Sequence, residues 1–156
     1  MRVGILTISD TRSFDNDESG KYINNYFKKK KYEICFYEIV KDEEKQIIVA
    51  LKKFLKGKID LIITTGGTGV AVRDVTPEVT KKVIKKEVPG IAEAIRNFSL
   101  KKNKNAMLSR GIAGIVDKTL IINLPGSKNA VSEILPYIIE PIEHCIDLLN
   151  GKTAHY

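Results

Sequence analysis

The stretch Ile59-Asp60-Leu61-Ile62-Ile63-Thr64-Thr65-Gly66-Gly67-Thr68-Gly69 decides the fold. Ile59–Thr64 is an apolar run of the kind found in strands buried on both faces of a parallel sheet, and it ends in a turn rich in glycine and threonine. Upstream, Val3–Ile8 is a second apolar run, closed by the polar Ser9-Asp10-Thr11-Arg12, and Tyr32–Val40 alternates well enough to be a third strand. Helical spacing separates these runs. Asp17 is a plausible N-cap for a segment with Tyr22, Ile23, Tyr26 and Phe27 on one face, and Asp42 for one with Ile47, Ile48, Leu51 and Leu55 inward. Downstream, the pattern predicts a helix over Thr76–Lys86, with Thr76 as N-cap and Pro77 at the first helical position, and another over Gly90–Leu100. Gly111–Val116 and Thr119–Leu124 read as a hairpin about Asp117-Lys118, and helices over Asn129–Ile139 and Pro141–Leu149 follow. Alternating strands and helices predict one α/β domain over residues 1–156, in three layers. Its sheet is mainly parallel with an antiparallel hairpin addition, and helices cover both faces.

Composition narrows the function classes. A chain of 156 residues with 43% hydrophobic and 29% charged content is neither disordered, collagen-like nor a disulfide scaffold. No apolar run approaches the ~20 residues that cross a bilayer, and the N-terminal run is too brief for a signal peptide, so the expectation is a cytoplasmic protein with no membrane partner. The net charge of +7 comes mostly from lysine. Lys81, Lys82, Lys85 and Lys86 fall on one face of the predicted helix, which is how a solvated surface looks. Arginine interleaved with exposed aromatics, the usual nucleic-acid signature, is missing; an RNA-binding role is set aside. Of five arginines, Arg12, Arg73 and Arg110 sit inside loops rich in glycine and hydroxyls. Cys35 and Cys145 lie in apolar segments and read as small buried hydrophobes. With His144 and His155 they form no metal-ligand spacing, so a zinc site is not expected.

In open α/β sheets, ligands bind beyond the carboxyl ends of the strands. Four loops meet that description: Ser9–Asp17, Lys41–Glu43, Thr65–Asp74 and Pro125–Lys128. The glycine turn Thr65–Gly69 lets backbone N–H groups approach an anion, and its threonines add donors. It is neither a Walker loop nor a dinucleotide fingerprint. A Cβ at Gly67 is expected to obstruct that backbone approach or to strain a left-handed position. Asp42 and Asp74 follow strands at the same rim, and paired carboxylates beside phosphates suit Mg²⁺. Structural roles compete: Asp42 as a helix cap, Asp74 as a cap or as the partner of Arg73. The apolar positions from Ile134 to Leu149 exceed one stripe, and the surplus suits a second copy of the chain.

Thr64–Gly69, Arg73-Asp74-Val75-Thr76-Pro77-Glu78, Pro89-Gly90, Leu108-Ser109-Arg110 and Asn123-Leu124-Pro125-Gly126 together resemble the MogA/MoaB family of molybdenum cofactor biosynthesis, which includes gephyrin-type G domains. The resemblance runs through essentially the whole chain. It implies binding of molybdopterin and adenylylation of its phosphate by ATP with Mg²⁺, giving adenylyl-molybdopterin and pyrophosphate. Asp42 and Asp74 match the catalytic, metal-holding aspartates, although Lys41 stands where the family often has proline. Ser109 matches a serine that contacts the pterin, and the glycine loop matches the molybdopterin site, which implies that Gly67→Val weakens pterin binding far more than ATP binding. The substrate-binding candidates are Ser9, Thr65, Gly66, Gly67, Thr68, Gly69, Arg73, Ser109, Pro125, Gly126 and Ser127. A homotrimer or hexamer and a downstream molybdate-insertion protein are the implied partners. The stretches Gly114–Thr119 and Pro125–Lys128 look closer to the MoaB branch, for which the alternative is a non-catalytic molybdopterin carrier. A related nucleotide pyrophosphatase domain shares the glycine loop but usually lacks the Arg-Asp-Val-Thr-Pro-Glu and Ser-Arg elements.

Overall fold

The computed structural model describes residues 1–152; His155 lies outside the described residues. The chain runs β1 (Arg2–Ile8), α1 (Glu18–Lys29), β2 (Glu33–Val40), α2 (Glu44–Lys56), β3 (Leu61–Thr65) and α3 (Thr76–Val83). It continues through β4 (Lys86–Glu87), α4 (Pro89–Leu100), a 3₁₀ turn (Lys104–Leu108), β5 (Ala113–Val116), β6 (Thr119–Leu124) and α5 (Lys128–Leu149). The strands form one six-stranded sheet in the order β2-β1-β3-β6-β5-β4. The pairs β1/β2, β1/β3 and β3/β6 are parallel, and β5 pairs antiparallel with β4 and β6.

Alternation along the strands divides the core into two layers. Val3, Ile5, Leu61, Ile63, Leu120 and Ile122 point to the face covered by α1, α4 and α5, against Ile23, Phe27, Ile95 and Ile134. Leu6, Ile8, Ile62 and Ile121 point to the other face, against Ile47, Leu51, Phe54 and Val79 of α2 and α3. Each of these side chains, fully buried, contributes roughly 1.5–3 kcal/mol of transfer free energy, so the sheet is anchored on both sides. This is the three-layer arrangement the sequence predicts. β1 leads to β2 on one side while β3 lies on its other side, so the reversal of strand order falls between β1 and β3. The loops after these two strands, Ser9 onward and Gly66 onward, therefore flank the crevice where such sheets bind ligands.

Several local expectations change. α3 ends at Val83: Ile84 is extended, the Lys85 N–H donates to the Ile115 carbonyl (2.8 Å), and Lys86–Glu87 pairs with β5. Lys85 and Lys86 thus cover the edge of β5 rather than extending a helix face. Thr76 is already inside α3, Val75 holds the cap position, and the Thr76 hydroxyl donates to the Gly66 carbonyl at 3.0 Å. Asp42 does not cap α2, which begins after Glu43. The two closing helices are one, α5, with Pro136 and Pro141 inside it. A proline frees the carbonyl four residues earlier; for Pro136 that is Ser132, whose carbonyl accepts from the Tyr22 hydroxyl (3.4 Å) of α1. Ile134, Leu135, Ile138, Ile139, Ile142 and Ile146 are buried within the single chain, leaving Leu148 exposed. Most of the stripe that suited a second copy is thus taken up by the chain's own core, with Leu149 half-buried beside Leu148. Cys35 and Cys145 are half-buried, not buried.

Candidate functional site

The glycine loop folds as it does because it turns back over the end of β1. Gly66 has φ +100° and Gly67 φ +63°, both in the left-handed region. A Cβ on Gly66 would run into the Ile8 carbonyl oxygen, and one on Gly67 would meet the Thr76 hydroxyl and lie 2.8 Å from Asp42 Oδ1. The loop is tied to its neighbours by Gly66 N–H to the Leu124 carbonyl (3.2 Å), Thr76 N–H to the Gly67 carbonyl (3.1 Å) and the Thr65 hydroxyl to the Pro125 carbonyl (2.7 Å). Beneath it lies a buried polar knot: Asn123 Nδ2 donates to the hydroxyls of Thr64 and Thr80, both at 2.9 Å, and its Oδ1 accepts from the Ile112 N–H.

One side of the loop carries carboxylates. Asp10, Asp42 and Asp74 come from the loops after β1, β2 and β3. Burial, followed by the negative charges of Asp10 and Asp74, pushes the Asp42 carboxyl above its ordinary value. The Asp10 backbone N–H and the positive charge of Arg73 offset this only in part; in return the Asp42 backbone N–H donates to Asp10 Oδ1 at 3.2 Å. Arg73 pairs with Asp10, not Asp74, through two bonds of 2.8 and 2.7 Å, and this bidentate hydrogen bonding holds Asp10 below the usual carboxylate range. Asp74 caps nothing: α3 starts later, and Asp74 Oδ2 accepts from the Ala71 N–H at 2.9 Å, closing a turn.

The other side opens into a cavity of about 460 Å³, a size that suits a small organic ligand. Of the residues nominated from sequence, Thr68, Gly69, Ser109, Pro125 and Ser127 line it. Its far wall adds Arg96 of α4, Asn103 and Asn105 at the 3₁₀ turn, and Asn129 of α5. Arg96 also donates to the Gly111 carbonyl (2.9 Å), fixing the segment that carries Ser109. Thr65, Gly66, Gly67 and Arg73 stand at the rim but outside the cavity lining. Ser9 turns its own loop, its Oγ accepting from the N–H groups of Thr11 and Arg12, both at 3.2 Å. Gly126 offers its carbonyl to Arg12 (2.6 Å), and Arg12 reaches back to Ser19 and to the buried Asp17. Ser127 caps α5.

Sequence reading passed over Asp10, Arg96, Asn103, Asn105 and Asn129. Asp10 had a usable signal, because it follows a parallel strand at the same rim as Asp42. The others come from α4, the 3₁₀ turn and α5, and only the tertiary packing of α4 against the other two brings them together.

Among the described residues no group of three or more His, Cys, Asp or Glu is placed to hold a metal ion, and no helix is long and apolar enough to cross a membrane. Asp42 and Asp74 nonetheless fit Mg²⁺. They supply hard oxygen ligands, and Asp42 is partly buried among negative charges that the Asp10 N–H and Arg73 do not fully offset, so its carboxyl stays above its ordinary value. Mg²⁺ commonly takes one or two carboxylates and fills the rest of its shell with water and substrate phosphate.

Residues 4–144 match a family model described as "Probable molybdopterin binding domain". Molybdenum cofactor biosynthesis protein B of Staphylococcus aureus is 42% identical over 155 residues, covering 96% of this chain and 92% of that protein. Molybdopterin adenylyltransferase of Helicobacter pylori is also 42% identical, over 157 residues, covering 97% of this chain and 89% of that protein. Among solved structures, the molybdopterin biosynthesis enzyme MoaB of Thermus thermophilus superposes with a TM-score of 0.87 at 41% identity, covering 97% of each chain.

Proposed function

The chain belongs to the molybdopterin-binding family of molybdenum cofactor biosynthesis, and on that premise we propose that it is a molybdopterin adenylyltransferase. A molybdopterin phosphate oxygen attacks the α-phosphorus of ATP. The new P–O bond forms as the bond from that phosphorus to the bridging oxygen breaks, and pyrophosphate leaves. The observation that carries this reading is the two-sided loop: a ligand-sized cavity on one flank of Thr65–Gly69 and the Asp10/Asp42/Asp74 cluster on the other. The printed name of the Helicobacter pylori relative supports the same reaction.

Each part has a physical task. Cavity residues, including Ser109 and Arg96, hold and orient the pterin, and the loop's N–H groups and the Thr68 hydroxyl receive its phosphate. Asp42 and Asp74 would hold Mg²⁺, which when bound supplies neutralisation of phosphate charge. Arg73 offers a cation at the rim beside the carboxylates. Phosphoryl-group transfers depend on positioning and charge compensation more than on covalent catalysis, and these residues supply both. A cytoplasmic location, a trimeric or hexameric assembly and hand-over of the product to a molybdate-insertion protein belong to the same proposal. They rest on family resemblance alone, since α5 buries most of its apolar stripe within one chain.

Incubation of the protein with molybdopterin, Mg²⁺ and ATP tests the reading, with detection of adenylyl-molybdopterin and pyrophosphate in equal amounts. Tight pterin binding with no transfer would overturn it in favour of a carrier, which needs the cavity but not the carboxylates.

A further inference from the structure

We infer that Arg110 is a positioning residue that sets Asp74 relative to the cavity, an inference whose kinetic part rests on the adenylyl-transfer reading. Its guanidinium joins three points of the site. Nε donates to the Gly69 carbonyl and Nη2 to the Asp74 carbonyl, both at 2.6 Å, while Nη1 pairs with Glu78 of α3. Its backbone N–H donates to the Thr68 carbonyl at 2.9 Å. Arg110 thus grips both ends of the Gly69–Asp74 segment and directly follows Ser109 of the cavity wall.

That segment has little else to hold it. Residues 70–73 are all exposed, Val72 almost completely at 98%, so no apolar side chain anchors them. The Asp74 N–H to Ala71 carbonyl bond (2.9 Å) and the Ala71 N–H to Asp74 carboxylate bond are internal to the turn and fix its shape, not its place. Arg73 reaches Asp10, itself on a loop. On the far side of Ser109, Arg96 clamps the Gly111 carbonyl from α4. The 109–111 segment is therefore a fixed rail, and Arg110 is the arm from it to the Asp74 turn. A planar guanidinium holds its donors in a set geometry and can span two carbonyls at once; a lysine ammonium is a single point on a flexible stem and cannot.

The test compares wild type, Arg110→Met, Arg110→Lys and Glu78→Gln by steady-state kinetics and by amide hydrogen exchange of residues 69–76 without substrates. Both Arg110 variants are expected to lower kcat by about 10- to 100-fold, with KM for molybdopterin within about threefold of wild type. Exchange should rise about tenfold in 69–76 and stay unchanged in the core strands. Glu78→Gln, which breaks only the exposed ion pair, should resemble wild type in both measurements. If Arg110→Met does not fold, Arg110→Lys carries the same comparison. Unchanged exchange in 69–76, faster exchange with kcat intact, or a Glu78→Gln variant as impaired as the Arg110 variants would each overturn the inference. An inactive wild type would instead overturn the adenylyl-transfer reading, leaving the exchange data to decide the role of Arg110.

Discussion

The two flanks of the glycine loop are built by opposite means. The carboxylate flank draws Asp10, Asp42 and Asp74 from three loops that follow three adjacent parallel strands, so the sheet itself sets their spacing. The cavity flank draws on α4, a 3₁₀ turn and α5, elements that meet because α4 packs against both of the others. The first flank concentrates negative charge and leaves Asp42 with a raised pKa; the second is mostly apolar in surface, with neutral polar side chains and Arg96, Lys102 and Glu133 among its lining. In the adenylyl-transfer reaction proposed above, the carboxylate side would receive a metal-bound triphosphate and the cavity a heterocycle, with the loop's N–H groups between them.

The strongest way to break this comparison is Asp74→Asn. The side chain keeps its size and can still close the turn at Ala71, but loses the charge. Adenylyl transfer is expected to fall by roughly 10²-fold or more with melting temperature and pterin affinity unchanged, as product formation, thermal unfolding and ligand titration would show. Turnover near wild type would remove the carboxylate from the chemistry.

Gly67→Val comes next. A Cβ there faces Asp42 and Thr76 rather than the cavity, which reverses the sequence-based expectation that pterin binding suffers first. The φ of +63° adds strain of about 1–3 kcal/mol. Mg²⁺-dependent ATP binding should weaken more than molybdopterin binding, measured by calorimetry on each. The opposite order would put Gly67 on the cavity side.

Ser109→Ala sharpens the cavity side. Losing one hydrogen bond of about 0.5–1.5 kcal/mol should weaken molybdopterin binding by roughly 2- to 13-fold, with ATP binding unaffected. No change in pterin affinity would mean that Ser109 lines the cavity without touching the ligand.

The smallest effect concerns stability. Because the folded-state pKa of Asp42 is raised, its carboxylate opposes folding at pH values above that pKa. The opposition vanishes as pH falls below the ordinary carboxylate value of about 3.9, where both folded and unfolded chains are protonated. Asp42→Asn should therefore raise the melting temperature by at most a few degrees at neutral pH, and the gain should shrink on acidification. Melting curves across pH would check this; a lowered melting temperature at neutral pH would mean the carboxylate supports the fold instead.

The same contrast explains what could be read from sequence. Strands buried on both faces announce themselves as apolar runs, and their carboxyl ends define a rim, so Thr65–Gly69, Asp42 and Asp74 were visible before any coordinates. Helix ends were harder. The split of α5 into two followed the ordinary rule for proline, and only the Tyr22 hydroxyl from α1, reaching the Ser132 carbonyl, reveals how one freed group is satisfied. α3 stops early because the edge of β5 recruits Lys85–Glu87, a pairing between residues too far apart to leave a local trace. Arg96 and Asn105 carried no signal for the same reason, whereas Asp10 sat within a motif already quoted and needed only the rim argument applied to Asp42.

The division of labour across the loop is tested most directly by titrating molybdopterin into the Asp42→Asn/Asp74→Asn double variant while assaying the same preparation for adenylyl-molybdopterin. The predicted result is a Kd within about threefold of wild type, a difference below 1 kcal/mol, with no detectable product. A Kd raised about tenfold or more, or product formed at the wild-type rate, would contradict the account.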